Sequence, residues 1–178
     1  TVGAICTGCG VPPSFITNLC FPIFTYFVRV GEGPLPTELK DEMGDRLREK
    51  GGEYGTTTGR PRRCGWLDLV VVKHSLTING FSSLVLTKLD VLSGLKEIKV
   101  CTGYDCQGSE IESFPADLSL LDECKPIYER FKGWDVNLNK KLPKEARDYI
   151  DYIEGYLGVG IGMISVGRGR EEIIMNGF

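Results

Sequence analysis

Apolar residues recur at helical spacing near the end of the chain. They fall three or four positions apart and form one stripe of a helix, made of Ala146, Ile150, Ile153 and Leu157. Pro143 suits the first turn of such a helix, and Gly158 suits its end. The pattern therefore predicts an amphipathic helix that starts at Pro143 and stops at Gly158, followed by a strand over residues 159–166.

Shorter apolar runs occur in the middle of the chain. Residues 83–87 and 96–101 are rich in β-branched side chains, which predicts two buried strands. Residues 66–78 are predicted to be a helix, because four apolar positions fit one helical face: Leu67, Val70, Val71 and Leu76. Helices that alternate with apolar strands predict an α/β sheet.

The remaining segments have weaker patterns. Residues 38–50 carry the mixture of charges typical of a short exposed helix, and two glycines end it. Residues 1–13 and 51–65 are predicted to be loops, the second one long and mobile. The apolar run over residues 14–30 contains a proline, and its pattern leaves helix and strand both open.

Composition limits the kind of protein. The chain has 178 residues, 42% of them hydrophobic, and a net charge of −3, which predicts a soluble globular protein without a general basic surface for nucleic acid. The longest apolar stretch, residues 19–30, is too short to cross a bilayer. We therefore expect neither a nucleic-acid nor a membrane partner.

Cysteine usage bears on the compartment. The seven cysteines are odd in number and scattered, which favours reduced thiols in a cytoplasmic protein over a disulfide framework. Cys6 and Cys9 have the spacing of half a zinc site, but the only other close pair, Cys101 and Cys106, has a different spacing. No metal site is predicted within this chain.

A candidate nucleotide site follows the strand predicted over residues 83–87. Thr87-Lys88-Leu89-Asp90 lies at the carboxyl end of that strand, where open α/β sheets bind ligands. A carboxylate there can accept hydrogen bonds from N1–H and the 2-amino group of guanine, while a lysine stem covers the ring. The alternative is an ordinary turn at the strand end, with Asp90 capping the next turn.

A second candidate site is the run Gly55-Thr56-Thr57-Thr58-Gly59-Arg60-Pro61-Arg62-Arg63. Hydroxyls, glycines and guanidinium groups together suit a small dicarboxylate. The alternative is a basic surface loop for RNA or phosphate, which composition alone leaves equally open.

The order of these motifs resembles the adenylosuccinate synthetases. The resemblance runs through Val30-Gly31-Glu32-Gly33-Pro34, Pro36-Thr37-Glu38, the loop that starts at Gly55, Gly65-Trp66, Leu86 to Leu92, Gly94 to Glu97, Pro126 to Glu129, Trp134, Ser165-Val166-Gly167 and the final Phe178. It implies that residues 1–178 are the carboxy-terminal part of a single domain that ends at a natural terminus. The implied fold class is α/β: part of a mixed central sheet flanked by helices, in a P-loop-NTPase-like nucleotide-binding ligase fold lacking its amino-terminal half.

The resemblance also implies an activity and residue roles. The family ligates L-aspartate to IMP with GTP and Mg²⁺, through an intermediate phosphorylated at the purine 6-oxygen. Residues 55–64 would form the aspartate loop, with Thr56, Thr57, Thr58, Gly59, Arg60, Pro61 and Arg62 binding aspartate. Val30 and Arg60 would bind IMP, and the GTP-binding residues would be Arg62, Lys88, Leu89, Asp90, Ser165, Val166 and Gly167. Pro61 and Cys64 depart from the family pattern, which usually has arginine and a hydroxyl residue there.

Other expectations concern what this chain does not carry. The family's catalytic aspartate and histidine, its Mg²⁺ ligands and its phosphate loop lie in the amino-terminal half, so no catalytic residue is assigned here and the chain alone should be inactive. His74 is expected to be solvated or to face a partner. The family implies a homodimer. One alternative is a non-catalytic guanine-nucleotide-binding module, and a second is an RNA-binding domain, which the acidic balance disfavours.

Overall fold

The computed structural model describes residues 1–135 and 141–176, and the predicted match at Phe178 lies outside them. In chain order the elements are α1 (Gly3–Cys9), β1 (Cys20–Phe24), β2 (Tyr26–Arg29), α2 (Glu42–Gly51), β3 (Arg63–Asp68), α3 (Leu69–Asn79), β4 (Ser83–Thr87), β5 (Glu97–Cys106), β6 (Ser109–Ile111), β7 (Cys124–Lys132), α4 (Lys144–Leu157), β8 (Ile161–Ser165) and β9 (Ile173–Met175). Short 3₁₀ helices occupy Pro13–Phe15, Leu89–Leu92 and Leu118–Asp122.

One sheet has the strand order β1-β4-β8-β9. Strands β1, β4 and β8 are parallel, and β9 returns antiparallel to β8. Leu84 and Leu86 of β4 are fully buried, as are Ile161 and Ile164 of β8. The strands predicted over residues 83–87 and 159–166 are therefore confirmed, and their parallel pairing places Thr87 and Ser165 at the same edge.

The second sheet has the order β2-β3-β5-β6, with β7 also paired to β5. Strands β3 and β5 are parallel, whereas β2 runs antiparallel to β3 and β7 runs antiparallel to β5. The strand predicted over residues 96–101 is confirmed as the first half of β5, which continues to Cys106. Each sheet thus contains both parallel and antiparallel strand pairs, in agreement with the prediction of a mixed α/β sheet.

Helix α4 matches its prediction closely. Pro143 is the residue before the first helical residue, and Gly158 ends the helix in the left-handed conformation typical of a glycine cap, with φ 67°. The four residues of the predicted stripe are all buried. Tyr149 is buried beside them, and its hydroxyl donates to the carbonyl of Thr25 at 3.0 Å, which ties α4 to the end of β1.

Several predicted boundaries are wrong. Trp66 and Leu67 belong to β3, because Asp68 starts helix α3 by accepting from the amides of Val70 and Val71 at 3.1 and 3.3 Å. The predicted helix 38–50 begins only at Glu42, after the cap residue Asp41. The predicted loop 51–65 ends at Arg63, where β3 begins.

The first thirty residues also differ from the prediction. The predicted loop 1–13 contains helix α1, which ends at Gly10 in the left-handed conformation. The apolar run 14–30, left open by its pattern, forms β1 and β2 with Thr25 between them. Pro22 is tolerated within β1 because that strand lies at the edge of its sheet among the described strands.

The cysteines correct a further prediction. Cys106 and Cys124 are direct partners in the β5–β7 ladder, with Cα atoms 4.4 Å apart, and they form a disulfide bond. The expectation of reduced thiols throughout is therefore wrong for this pair. The other five cysteines are free.

Asp68 makes the stability of this fold depend on pH. It is 1% exposed, and its carboxylate accepts from the Tyr104 hydroxyl at 2.6 Å. Burial raises the pKa of Asp68 from 3.8 to about 6, and the hydrogen bonds from Tyr104, Val71 and Val70 only partly oppose that rise. Since the folded pKa is the higher one, the contribution of Asp68 to stability is complete below about pH 4 and is lost as the pH rises through about 6.

We therefore expect Asp68→Asn to flatten this pH dependence. Between about pH 4 and pH 8 the free energy of unfolding should fall by on the order of 2 kcal/mol more in the wild type than in the variant. Urea unfolding followed by circular dichroism at several pH values measures the difference. Parallel profiles for the two proteins would show that Asp68 is not the titrating group.

Candidate functional site

The predicted guanine segments meet at the carboxyl edge of the first sheet. Lys88 follows the end of β4, and Leu89 and Asp90 begin the 3₁₀ helix Leu89–Leu92. Ser165 ends β8, the parallel neighbour of β4. Its hydroxyl donates to the carbonyl of Gly167 at 2.8 Å, which closes the second predicted segment into a tight turn.

Lys88 has an unusual backbone conformation. Its φ of 64° lies in the left-handed region, which non-glycine residues seldom adopt. Thr25 holds it there: the Thr25 hydroxyl donates to the Lys88 carbonyl at 2.9 Å, and the Thr25 amide donates to the Thr87 carbonyl at 3.1 Å. Since Thr25 is fully buried, the fold enforces this conformation, and such enforced strain is typical of functional positions.

The Lys88 side chain turns back toward helix α2. Its ammonium donates to the Gly51 carbonyl at 2.9 Å and to the carboxylate of Glu53. It also lies 4.8 Å from the centre of the Phe24 ring, within cation–π distance. The Glu53 carboxylate therefore neutralises the Lys88 ammonium and holds it in position, and this fixes the path of the aliphatic part of the lysine side chain.

Asp90 is only half-buried, and its carboxylate accepts no hydrogen bond from the part of the chain that the structure describes. The alternative in which the Asp90 side chain caps the following turn is not observed, since the 3₁₀ helix has no side-chain cap. The carboxylate keeps its full capacity to accept hydrogen bonds from a ligand.

The predicted aspartate loop is exposed and closed on itself. Residues 56–61 are all exposed, whereas Arg62 is half-buried. The Gly55 amide donates to the Arg60 carbonyl, and the Gly59 amide donates to the Gly55 carbonyl, both at 2.8 Å. Gly59 has φ 64°, which favours glycine in this turn. The backbone thus presents the threonine hydroxyls and the Arg60 side chain to solvent.

Glu53 joins the loop to the guanine segment. It is fully buried, and one carboxylate oxygen accepts from the Tyr26 hydroxyl at 2.7 Å and from Lys88. The other oxygen accepts from Nη1 of Arg62 at 2.9 Å. Burial alone would raise the pKa of Glu53, but the hydrogen bonds from Lys88, Tyr26 and Arg62 outweigh it and hold the pKa below its ordinary value.

Glu53 cannot be recognised as a site residue from the sequence. A glutamate after two glycines has no local signature, because its partners lie 9, 27 and 35 residues away. The only sequence signal is that a loop with three arginines and a predicted site lysine needs a compensating carboxylate.

Val30 is 77% exposed, just beyond the end of β2. The last pair of the β2–β3 ladder is Arg29 with Arg63, so Val30 follows directly after the ladder, and β3 begins where the loop ends. Arg168, which follows the third predicted segment, has its guanidinium 3.6 Å from a Cβ built on Gly52 at the end of α2. Of the predicted segments, the loop and residues 87–90 are therefore joined through Glu53.

Comparison with known proteins decides the family. The adenylosuccinate synthetase family model matches residues 1–174. The chain belongs to the adenylosuccinate synthetase family. Its sequence is 49% identical over 178 residues to the synthetase of Thermodesulfovibrio yellowstonii and 52% identical over 180 residues to that of Schizosaccharomyces pombe. These alignments cover 97% and 98% of this chain but 42% of each relative.

The fold agrees with the family. A fully ligated adenylosuccinate synthetase from Plasmodium falciparum superposes with a TM-score of 0.94 at 40% identity, over 99% of this chain and 44% of that one. A succinoaminodeoxyadenylate synthetase from cyanophage S-2L has a TM-score of 0.52 at 17% identity and shares the fold alone. The family resemblance and the fold class predicted from the sequence are both confirmed, and the chain spans less than half the length of these synthetases.

Some features of this synthetase chain lie outside the site. His74 of α3 is exposed, and its ring stacks on that of Phe114 with the ring centres 4.9 Å apart. Within residues 1–135 and 141–176, no group of three or more histidine, cysteine, aspartate or glutamate side chains is placed to hold a metal ion. No helix in the described part of the chain is long and apolar enough to cross a membrane.

Proposed function

We propose that this chain is the carboxy-terminal part of a synthetase that ligates L-aspartate to IMP, giving adenylosuccinate, GDP and phosphate. Residues 55–64 serve as its aspartate loop, and residues 87–90 with 165–167 serve as its guanine pocket. The observation that carries the proposal is that buried Glu53 joins Arg62 of the loop to Lys88 of the guanine segment, while the Asp90 carboxylate accepts no hydrogen bond from the described residues.

The guanine pocket follows from the donors and acceptors at the sheet edge. The Asp90 carboxylate accepts from N1–H and the 2-amino group of guanine, a pair of donors that adenine lacks. The strained Lys88 backbone and its fixed ammonium direct the lysine stem along the ring face. Leu89 is fully buried and anchors the segment, while Ser165, Val166 and Gly167 close the other side.

The aspartate loop supplies positive charge and hydroxyl donors. Arg60 makes no side-chain hydrogen bond within the residues described, so its guanidinium is available to the dicarboxylate and to IMP beside Val30. Thr56, Thr57 and Thr58 are exposed beside it and donate to carboxylate oxygens. Gly59 and Pro61 shape the turn, and Arg62 lies between the loop and the guanine segment, where it can also reach phosphate.

In the ligation, GTP phosphorylates the 6-oxygen of IMP, and the aspartate amine then displaces that phosphate at C6. The residues of this chain bind and orient aspartate and the guanine base. The described residues offer no oxygen-rich set that would fit Mg²⁺, so we place its ligands in the portion of the relatives that this chain does not span. A cytoplasmic homodimer acting on IMP, L-aspartate and GTP completes the proposal.

Replacing Arg60 with leucine tests the aspartate loop. In the complete synthetase, with the amino-terminal portion present, we expect the KM for aspartate to rise by about tenfold or more, because a charge-assisted contact is lost. The melting temperature should stay unchanged, since Arg60 is exposed. Arg60→Lys should restore little, because an ammonium cannot form the paired contact of a guanidinium.

The matched control is Arg130→Leu, which removes an arginine on β7 whose side chain is 64% exposed. It should leave the aspartate KM as in the wild type. Unchanged aspartate kinetics in Arg60→Leu would contradict the loop assignment. A wild type that binds GTP but does not ligate aspartate would instead favour a guanine-nucleotide-binding module without ligase activity.

A further inference from the structure

Glu53 binds two cations that belong to different substrate sites. Its carboxylate is 0% exposed, and it contacts Lys88 of the guanine segment and Arg62 of the aspartate loop through different oxygens. The Lys88 and Arg62 side chains keep 29% and 30% of their surface exposed. The cations can therefore regain water or a ligand on leaving, whereas the carboxylate cannot.

The backbone around Glu53 is fixed. Its amide donates to the Arg48 carbonyl at 2.8 Å, and its own carbonyl accepts from the Arg62 amide at 2.9 Å. Arg48 in turn donates from Nε to the Arg62 carbonyl at 2.9 Å. We call the contacts of Glu53 with Arg62 and Lys88 the junction. Because the last turn of α2 holds the Glu53 backbone, movement at the junction is confined to side chains.

Charge at the junction makes the two contacts interdependent. One buried carboxylate shares its charge between two cations, and those cations repel each other across it. If one cation leaves, a neutral pair remains; if both leave, a buried carboxylate is stranded at large cost. Arg62 can therefore be released only while Lys88 stays, and a firmly held Lys88 makes release easier.

The observed position of Arg62 is also incompletely satisfied. Its Nε is buried and has no hydrogen-bond partner among the residues described. A buried donor without a partner costs free energy, and that cost disappears when the guanidinium turns toward a ligand anion. The junction thus holds Arg62 in a position from which it can leave.

We infer that Glu53 is a positioning residue through which occupation of the guanine pocket strengthens aspartate binding. A guanine base stacked on the Lys88 stem keeps the lysine on Glu53, and this eases the transfer of Arg62 from Glu53 to its ligand. The inference rests on the proposed function of the two segments, but it adds the direction of coupling and the residue that carries it.

Calorimetric titration of aspartate into the complete synthetase tests this inference. IMP is present throughout, GDP is added or omitted, and no GTP is supplied, so no turnover occurs. In the wild type, GDP should lower the Kd for aspartate by about fivefold or more. In Glu53→Gln this ratio should fall to near one while GDP still binds.

Tyr26→Phe is the matched control. It removes the neutral hydrogen bond to Glu53 but leaves both cations on the carboxylate, so the GDP effect on aspartate affinity should persist. Retention of the wild-type ratio in Glu53→Gln, or its loss in Tyr26→Phe, would overturn the inference. A wild type that binds both ligands without any GDP effect would overturn it too, but would leave the proposed function intact.

If the wild type binds neither GDP nor aspartate, the proposed function fails and the inference fails with it. If Glu53→Gln does not fold, Glu53→Asp replaces it, because its carboxylate is one methylene shorter and cannot hold both cations at once.

Discussion

Asp90→Asn in the complete synthetase is expected to lower kcat/KM for GTP by a factor of about 10² or more, because the amide presents a donor to the N1–H and 2-amino donors of guanine. In the complex, the NH₂ of the new amide and the 2-amino group of guanine would then face each other as two donors without an acceptor. Xanthosine triphosphate, which has a carbonyl oxygen at position 2, should be used relatively better by the variant than by the wild type. Initial rates with each nucleotide measure the change.

The structure also predicts that this loss is not caused by unfolding. Asp90 is half-buried, and its carboxylate accepts no hydrogen bond in the part of the chain described, so the melting temperature should change little. Asp148→Asn, at an exposed position of α4, is the control for the loss of one carboxylate. GTP kinetics that are identical in Asp90→Asn and the wild type would exclude residues 87–90 as the guanine pocket.

The repeat of apolar residues predicted helices and strands correctly where one face of the element is buried. The stripe of α4 and the β-branched run of β4 predicted their elements, because burial on one side imposes the repeat that the sequence displays. It failed at residues 66–78, where apolar side chains lie on both sides of Asp68, in the strand before it and in the helix after it. The boundary is set by Asp68, whose carboxylate caps α3, and by the pairing of Trp66 with Tyr26 on β2.

Long-range contacts account for what the sequence did not reveal. The Cys106–Cys124 disulfide depends on the register of β5 and β7, which cysteine spacing does not encode. The role of Glu53 likewise depends on bringing Lys88 and Arg62 together from different elements. The candidate ligand-binding residues were found by family motifs, whereas the residue that joins their two sites became visible only in the folded chain.

The remaining prediction concerns the 178-residue chain on its own: supplied with GTP, IMP, aspartate and Mg²⁺, it should form no adenylosuccinate. Its sequence contains no glycine-rich phosphate loop ending in lysine and serine or threonine, and its described residues offer no metal-binding cluster. Charge neutralisation by such groups is the main source of acceleration in phosphoryl transfer. A coupled assay at high enzyme concentration, with the complete synthetase as the positive control, measures the loss.

Adding a separately produced amino-terminal portion should restore turnover only if the two pieces associate through the β1 side of the first sheet. Strand β1 has β4 on one side and no described strand on the other, and Phe24 on it is 36% exposed. An unpaired edge of this kind also favours self-association, so light scattering should show the isolated chain forming larger species as its concentration rises. Turnover by a monomeric 178-residue chain would contradict both the assignment of catalysis to the other portion and the role proposed for this edge.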